Sequence, residues 1–129
     1  MMQVLLDTQI VLGLLRRSLA KRYPGIMHRL ADPSTVGFVS VASLWETAIK
    51  TRLGKLDPGM PLPDIAGYVE ALGLTLLPIH TSHVITAADP EPQTRDPFDR
   101  LLLAQCHVEN LKLVTVDRAL QDHPLALRI

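Results

Sequence analysis

Asp7, Glu46, Asp99 and Asp117 are the side chains of this sequence best placed to do chemistry, and that chemistry is a divalent cation's. Asp7 closes one apolar run, Gln3-Val4-Leu5-Leu6, and Asp117 closes another, Lys112-Leu113-Val114-Thr115-Val116. Glu46 lies near the start of a helical stretch, and Asp96 and Asp99 open a second one. Carboxylates gathered in one place repel and raise one another's pKa. A cation among them relieves that repulsion. Hard oxygen donors with no His or Cys beside them favour magnesium, or manganese, over zinc. His80 and His83 are three apart but lack a third ligand, and Cys106 is the only cysteine. A bound cation activates water, and a pair clamps both oxygens of an in-line displacement. The reaction class implied is metal-dependent phosphodiester hydrolysis.

Each acid also has a plain structural reading. Ser43-x-x-Glu46 fits a capping box. Asp96-Pro97-Phe98-Asp99 is a good helix start, with a cap, a proline at the first position and an acid in the first turn. Asp7 and Asp117 also suit turns or caps. Against this stands their position. Both directly follow apolar runs, where an unpaired carboxylate is costly to bury.

The elements that must position these acids alternate. Buried strands are expected at 3–6, 36–40, 74–78 and 112–116, each a continuous apolar run. Helices are expected at 9–17 with Thr8 as cap, at 18–31 with a break near Tyr23-Pro24-Gly25, at 43–53, 64–72 and 81–88, and from Pro97 to about Glu109. Proline-bearing loops fill 57–63 and 89–95, and the tail 125–129 suits a short edge strand. Continuous apolar strands between helices indicate a parallel sheet covered on both faces. Right-handed crossovers put every strand's C-terminal end on one rim, where ligands bind near the switch in strand order. Asp7, Glu46 and Asp117 fall on that rim. Asp99 joins them only if its helix points its N-terminus there.

Length and composition bound the answer. The 129 residues fit one domain, 1–129. Apolar residues at 47% and charged residues at 20% exclude disorder. No apolar run is long enough to span a bilayer. Asp7 precedes and Arg16-Arg17 follow the apolar stretch 10–15, the reverse of a secretory signal. One cysteine excludes an internal disulfide framework and suits a reducing, cytoplasmic setting. The formal net charge is zero, yet residues 1–55 carry a net +5 and residues 56–129 a net −5. That asymmetry allows a basic face for nucleic acid beside an acidic pocket, or is simply uneven scatter.

Several segments, in order, resemble the PIN-domain family, and most closely its VapC-type toxins of bacterial toxin–antitoxin pairs. They are Leu5-Leu6-Asp7-Thr8, then Ser40-Val41-Ala42-Ser43-Leu44-Trp45-Glu46 with Lys50 and Gly54-Lys55-Leu56. Arg95-Asp96-Pro97-Phe98-Asp99-Arg100-Leu101-Leu102-Leu103-Ala104-Gln105 and Leu113-Val114-Thr115-Val116-Asp117 complete the set. The Trp-Glu and Asp-Pro-Phe-Asp-Arg segments are the specific ones. The resemblance implies a three-layer α/β/α fold around a mostly parallel sheet of four to five strands. It implies a magnesium- or manganese-dependent endoribonuclease leaving 5′-phosphate and 3′-hydroxyl ends, an RNA substrate, a cognate antitoxin that covers the site, and a homodimer. Carried over by position, Asp7, Glu46, Asp99 and Asp117 are the metal ligands and catalytic acids. Thr8 and Thr115 are supporting hydrogen-bonders, and Asp96 is a cap or outer acid. Thr94 stands where relatives usually have His, Gln9 and Gly13 where they often carry His and Trp, and His123 where Tyr is common.

Other residues have two readings each. Lys50, four after Glu46, neutralises that acid or holds an RNA phosphate, or is a plain surface pair. Arg100 points to the pocket rim. Arg16, Arg17, Lys21 and Arg22 grip phosphates, meet the antitoxin, or form a solvated helix face. Trp45 packs in the core, or stacks a base. Two other functions use the same acids. An inactive PIN-like module would bind RNA or antitoxin without cutting. A receiver domain would phosphorylate an aspartate ending its middle strand, but here the strand at 74–78 runs into Pro78 and His80.

Overall fold

The computed structural model describes residues 1–128. Four strands, β1 (Met2–Leu6), β2 (Thr35–Ser40), β3 (Thr75–Leu77) and β4 (Lys112–Val114), form one all-parallel sheet in the order β3-β2-β1-β4. The chain steps outward from β1 to β2 to β3, then returns to lay β4 on the other side of β1. The order therefore switches at β1 and β4, the place where an open parallel sheet has its crevice. Val4, Leu5 and Leu6 of this central strand are fully buried, which is why the run is apolar without alternation.

Helices cover both faces. On one side α1 (Thr8–Leu15), α2 (Leu19–Arg22), α3 (Pro24–Ala31) and α5 (Ile65–Ala71) pack Ile10, Val11, Leu15, Leu19, Ile26, Ile65 and Val69 against Val4, Leu6, Val39 and Val114. On the other side α7 (Pro97–Glu109) and α8 (Arg118–Gln121) pack Leu102, Leu103, Cys106 and Leu120 against Leu5, Leu77 and Leu113. Adjacent strand residues thus feed opposite layers, the period-2 rule of a pleated sheet. Two further helices complete the set, α4 (Val41–Arg52) and α6 (Thr81–Ile85). The three-layer α/β/α architecture expected from the sequence is the one observed. Among the described residues no helix is long and apolar enough to cross a membrane.

Element ends differ from expectation in instructive ways. The cap of α1 is Asp7, whose carboxylate accepts from Thr8 N–H, so Thr8 itself is helical. That helix stops at Leu15 because Arg17 adopts a left-handed backbone (φ 56°). The stretch 18–31 splits at Tyr23, with Pro24 opening α3. The cap of α4 is Ser40, whose Oγ accepts from Ala42 N–H at 3.0 Å. The helix therefore starts two residues earlier than Ser43, and Glu46 falls in its second turn, outside any capping box. Strand β4 ends at Val114 and leaves Thr115 and Val116 in the connection to α8. The edge strand expected over 125–129 reduces to one parallel bridge, Ala126 to Leu113. Ile129 lies outside the described residues.

Candidate active site

Asp7 sits at the carboxyl end of β1 because its own N–H continues the ladder to Val114 O at 2.9 Å. The register that pairs Leu6 with Val114 sets Asp7 beside Thr115. Thr115 Oγ1 donates to Asp7 Oδ2 at 2.6 Å and accepts from Asp117 N–H at 3.0 Å. One hydroxyl thus ties the end of β1 to the end of β4. Asp117 caps α8, accepting from Ala119 N–H at 2.9 Å.

Thr8 makes the second tie. Its Oγ1 donates to Glu46 Oε1 at 2.7 Å and lies 3.0 Å from Ser43 Oγ. A hydroxyl has one proton, and the shorter, charge-assisted contact to Glu46 takes it. The other Glu46 oxygen, Oε2, accepts from Lys50 Nζ at 2.6 Å. Asp7 and Glu46 are both buried, at 4% and 7% exposure, although each is acidic.

Asp99 arrives from α7. A helix that leads into a parallel strand runs back against the sheet, so the N-terminus of α7 returns to the carboxyl rim. Asp96 is its cap, with Oδ1 accepting from Phe98 N–H at 2.8 Å and Asp99 N–H at 3.3 Å. Asp99 Oδ2 accepts from Thr94 Oγ1 at 3.3 Å.

Electrostatics show that these acids feel one another. Burial pushes Asp7 above the usual carboxylate range against the pull of its Thr115 and Thr8 bonds, and the charges of Asp117 and Glu46 push it further. Asp99 is pushed up to about 7, first by burial, then by Asp96, Asp7 and Asp117. Lys50 is raised by its bond to Glu46, with added pull from Asp96 and Asp99. Asp7 therefore lies within electrostatic reach of Glu46, Asp99 and Asp117, and Lys50 within reach of Glu46, Asp96 and Asp99. Both oxygens of Asp7 and of Glu46, and one each of Asp99 and Asp117, are turned toward hydroxyls, N–H groups or Lys50. Among the described residues no three His, Cys, Asp or Glu side chains stand in ready metal-holding geometry. What fits an ion is the donor set itself: oxygen ligands only, two of them buried, in a patch where anions outnumber cations.

The other residues weighed from sequence fall on both sides of expectation. Arg100 does not face the acids. Its guanidinium donates to Thr94 O (2.6 Å), Glu91 Oε1 (2.9 Å) and Pro92 O (3.1 Å), clamping the loop before α7. Trp45 is not core: it is 57% exposed, edge-on to Phe98. Arg16 Nε is committed to Asp57 O at 2.8 Å. His83, fully buried, bonds Glu109 at 2.7 Å and accepts from His80 N–H, a structural role. Cys106 is buried, which pushes its thiol up to about 12. Sequence reasoning missed Ser43 and Thr94 as supports. Ser43 precedes Glu46 by three residues on one helix face, and Thr94 precedes the cap Asp96 by two. Both spacings were visible signals.

No curated protein matches the sequence significantly. The sequence profile of the PIN domain family matches residues 4–124, nearly the whole chain and every element that carries an acid of the site. The chain belongs to the PIN domain family.

Proposed function

We propose that this protein is a magnesium- or manganese-dependent endoribonuclease, the toxin component of a type II toxin–antitoxin pair. The observation that carries the reading is the grouping of Glu46, Asp99 and Asp117 around Asp7, with Asp99 pushed up to about 7 by burial and then by its acidic neighbours. Membership of a family whose domains are generally metal-dependent nucleases supports it. Asp7, Glu46, Asp99 and Asp117 would hold the ion. When bound, it supplies positive charge that polarises the scissile phosphodiester and eases deprotonation of water. The chain's own residues do the rest. Thr8 and Thr115 fix the carboxylate planes of Glu46 and Asp7. The attacking water's proton goes to a carboxylate of the cluster. Lys50, its side chain 43% exposed, swings from Glu46 to an RNA phosphate. A cleft of about 540 Å³ runs from Thr115 past Tyr23 to Arg22 and Arg128, a path for the rest of the strand.

The test is cleavage of single-stranded RNA in Mg²⁺, in Mn²⁺ and in EDTA, with Asp7→Asn alongside. Cutting that needs the metal and Asp7, and leaves 5′-phosphate and 3′-hydroxyl ends, is the expected result. No cutting with either ion, or cutting indifferent to Asp7→Asn, refutes the nuclease. Growth arrest on expression in bacteria, relieved by a co-expressed antitoxin and absent for Asp7→Asn, tests the toxin role. Light scattering tests the homodimer. One observation favours a second reading, an inactive module that binds RNA or antitoxin: Glu46 is already neutralised by Lys50 at 2.6 Å. RNA binding without cleavage would select it.

A further inference from the structure

We infer that Trp45 is a stacking platform for an unpaired base next to the scissile phosphate. This rests on the nuclease reading above and deepens it by naming a residue outside the acid cluster that contacts the substrate. The fold leaves this indole 57% exposed, although a tryptophan is the largest apolar body the core could have taken in. Its ring meets Phe98 edgewise, with centroids 5.6 Å apart and planes at 75°. Such a pair covers one indole face at most and leaves the other to solvent.

The location is what gives the exposure meaning. Glu46 follows Trp45 in α4, and Asp99 follows Phe98 in α7, so the aromatic pair links the two helices exactly where each delivers an acid. Successive helical residues are turned by about 100°. The indole therefore flanks the acid cluster instead of filling it. Val41, one turn earlier on the same flank, is also exposed and extends the apolar shelf. Lys50 lies on the Glu46 side with a partly free ammonium, suited to the phosphate of the same nucleotide. Leu53, Leu72, Val84 and Ile85 are exposed too, but none is aromatic. Stacking on an aromatic face is open to every base, provided that base has a free face. A base inside a duplex does not.

Trp45 is the only tryptophan of the chain, so intrinsic fluorescence reads this residue alone. The wild-type protein in Mg²⁺ is mixed rapidly with an unstructured oligoribonucleotide, with the same sequence as a blunt duplex, and with an abasic ribose-phosphate chain. Quenching before cleavage by the single strand only is the expected result. Trp45→Ala should raise KM by roughly 5- to 150-fold, the range of one lost stack. Trp45→Phe should restore most of the loss, because it keeps a face. Leu53→Ala, about 12 Å away just past the end of α4, should leave KM alone. Equal quenching by duplex, no quenching, or a wild-type KM for Trp45→Ala overturns the inference. So does emission that responds to protein concentration or a protein partner but not to RNA, which would make the shelf a protein-docking face. Quenching without cleavage would sink the nuclease reading and spare the platform. Cleavage without quenching would do the reverse.

Discussion

Replacing Asp99 by Asn should make the metal-free protein more stable, although it removes a residue the proposed reaction needs. Asp99 rises from an ordinary 3.8 to about 7 because its charge is partly buried among Asp96, Asp7 and Asp117. At about 1.36 kcal/mol per tenfold change in proton affinity, that rise corresponds to a ceiling of roughly 4 kcal/mol against the folded state. Asp99 is partly exposed, and solvent screening reduces the figure to about 1–2 kcal/mol. The sign follows from linkage. A carboxyl whose folded pKa is raised destabilises the fold wherever the unfolded chain gives up its proton more readily than the folded one. The penalty is absent below about pH 4, grows as pH rises toward 7, and is complete above it. Asparagine carries no charge at any pH, and its side-chain oxygen still accepts from Thr94. In EDTA at pH 8 the variant should therefore melt about 4–7 °C higher, the shift that 1–2 kcal/mol makes in a chain of this size. The gap should be smaller at pH 5. Added Mg²⁺ should reverse the order, since an ion at a hundred times its Kd stabilises the wild type by about 2.7 kcal/mol and the variant by less. Thermal melts by circular dichroism at both pH values, with and without Mg²⁺, measure all of this. A variant that melts at or below the wild-type temperature at pH 8 in EDTA would refute the reasoning, because Asp99 would then be outside a self-repelling cluster.

Two further outcomes follow from the supports. Thr115→Val keeps the shape but removes the hydroxyl that joins Asp7 to Asp117; RNA cleavage, or Mg²⁺ affinity by calorimetry, should fall about 10- to 100-fold. Arg100→Ala frees the loop held at Glu91, Pro92 and Thr94; limited proteolysis should then cut within 89–95 faster than in the wild type, and an unchanged rate would show that the clamp is idle.

Much of this fold was legible because burial on both faces writes continuous apolar strands. The runs Val4-Leu5-Leu6 and Leu113-Val114 predicted buried parallel strands, and the acids after them marked the rim; that the two strands pair emerged only from the structure. Helix ends were less legible. Ser40 and Ser43 both have the chemistry of a cap, and only the end of β2 decides between them. Trp45 was misplaced for a similar reason: its type favours burial, but a residue beside the inward Glu46 is turned away from the sheet. Arg100 was misread because its partners, the carbonyls of Pro92 and Thr94, have no sequence signature. Whether Asp99 would join the cluster rested on the direction of α7, which follows from topology and not from the residue.

The bond between Thr115 and Asp7 spans 108 positions of chain. During synthesis, Asp7 emerges before β4 and waits for it. A polypeptide that stops short of β4 lacks Asp117 and the hydroxyl that steadies Asp7, so whatever the assembled rim does is withheld until that strand has been made.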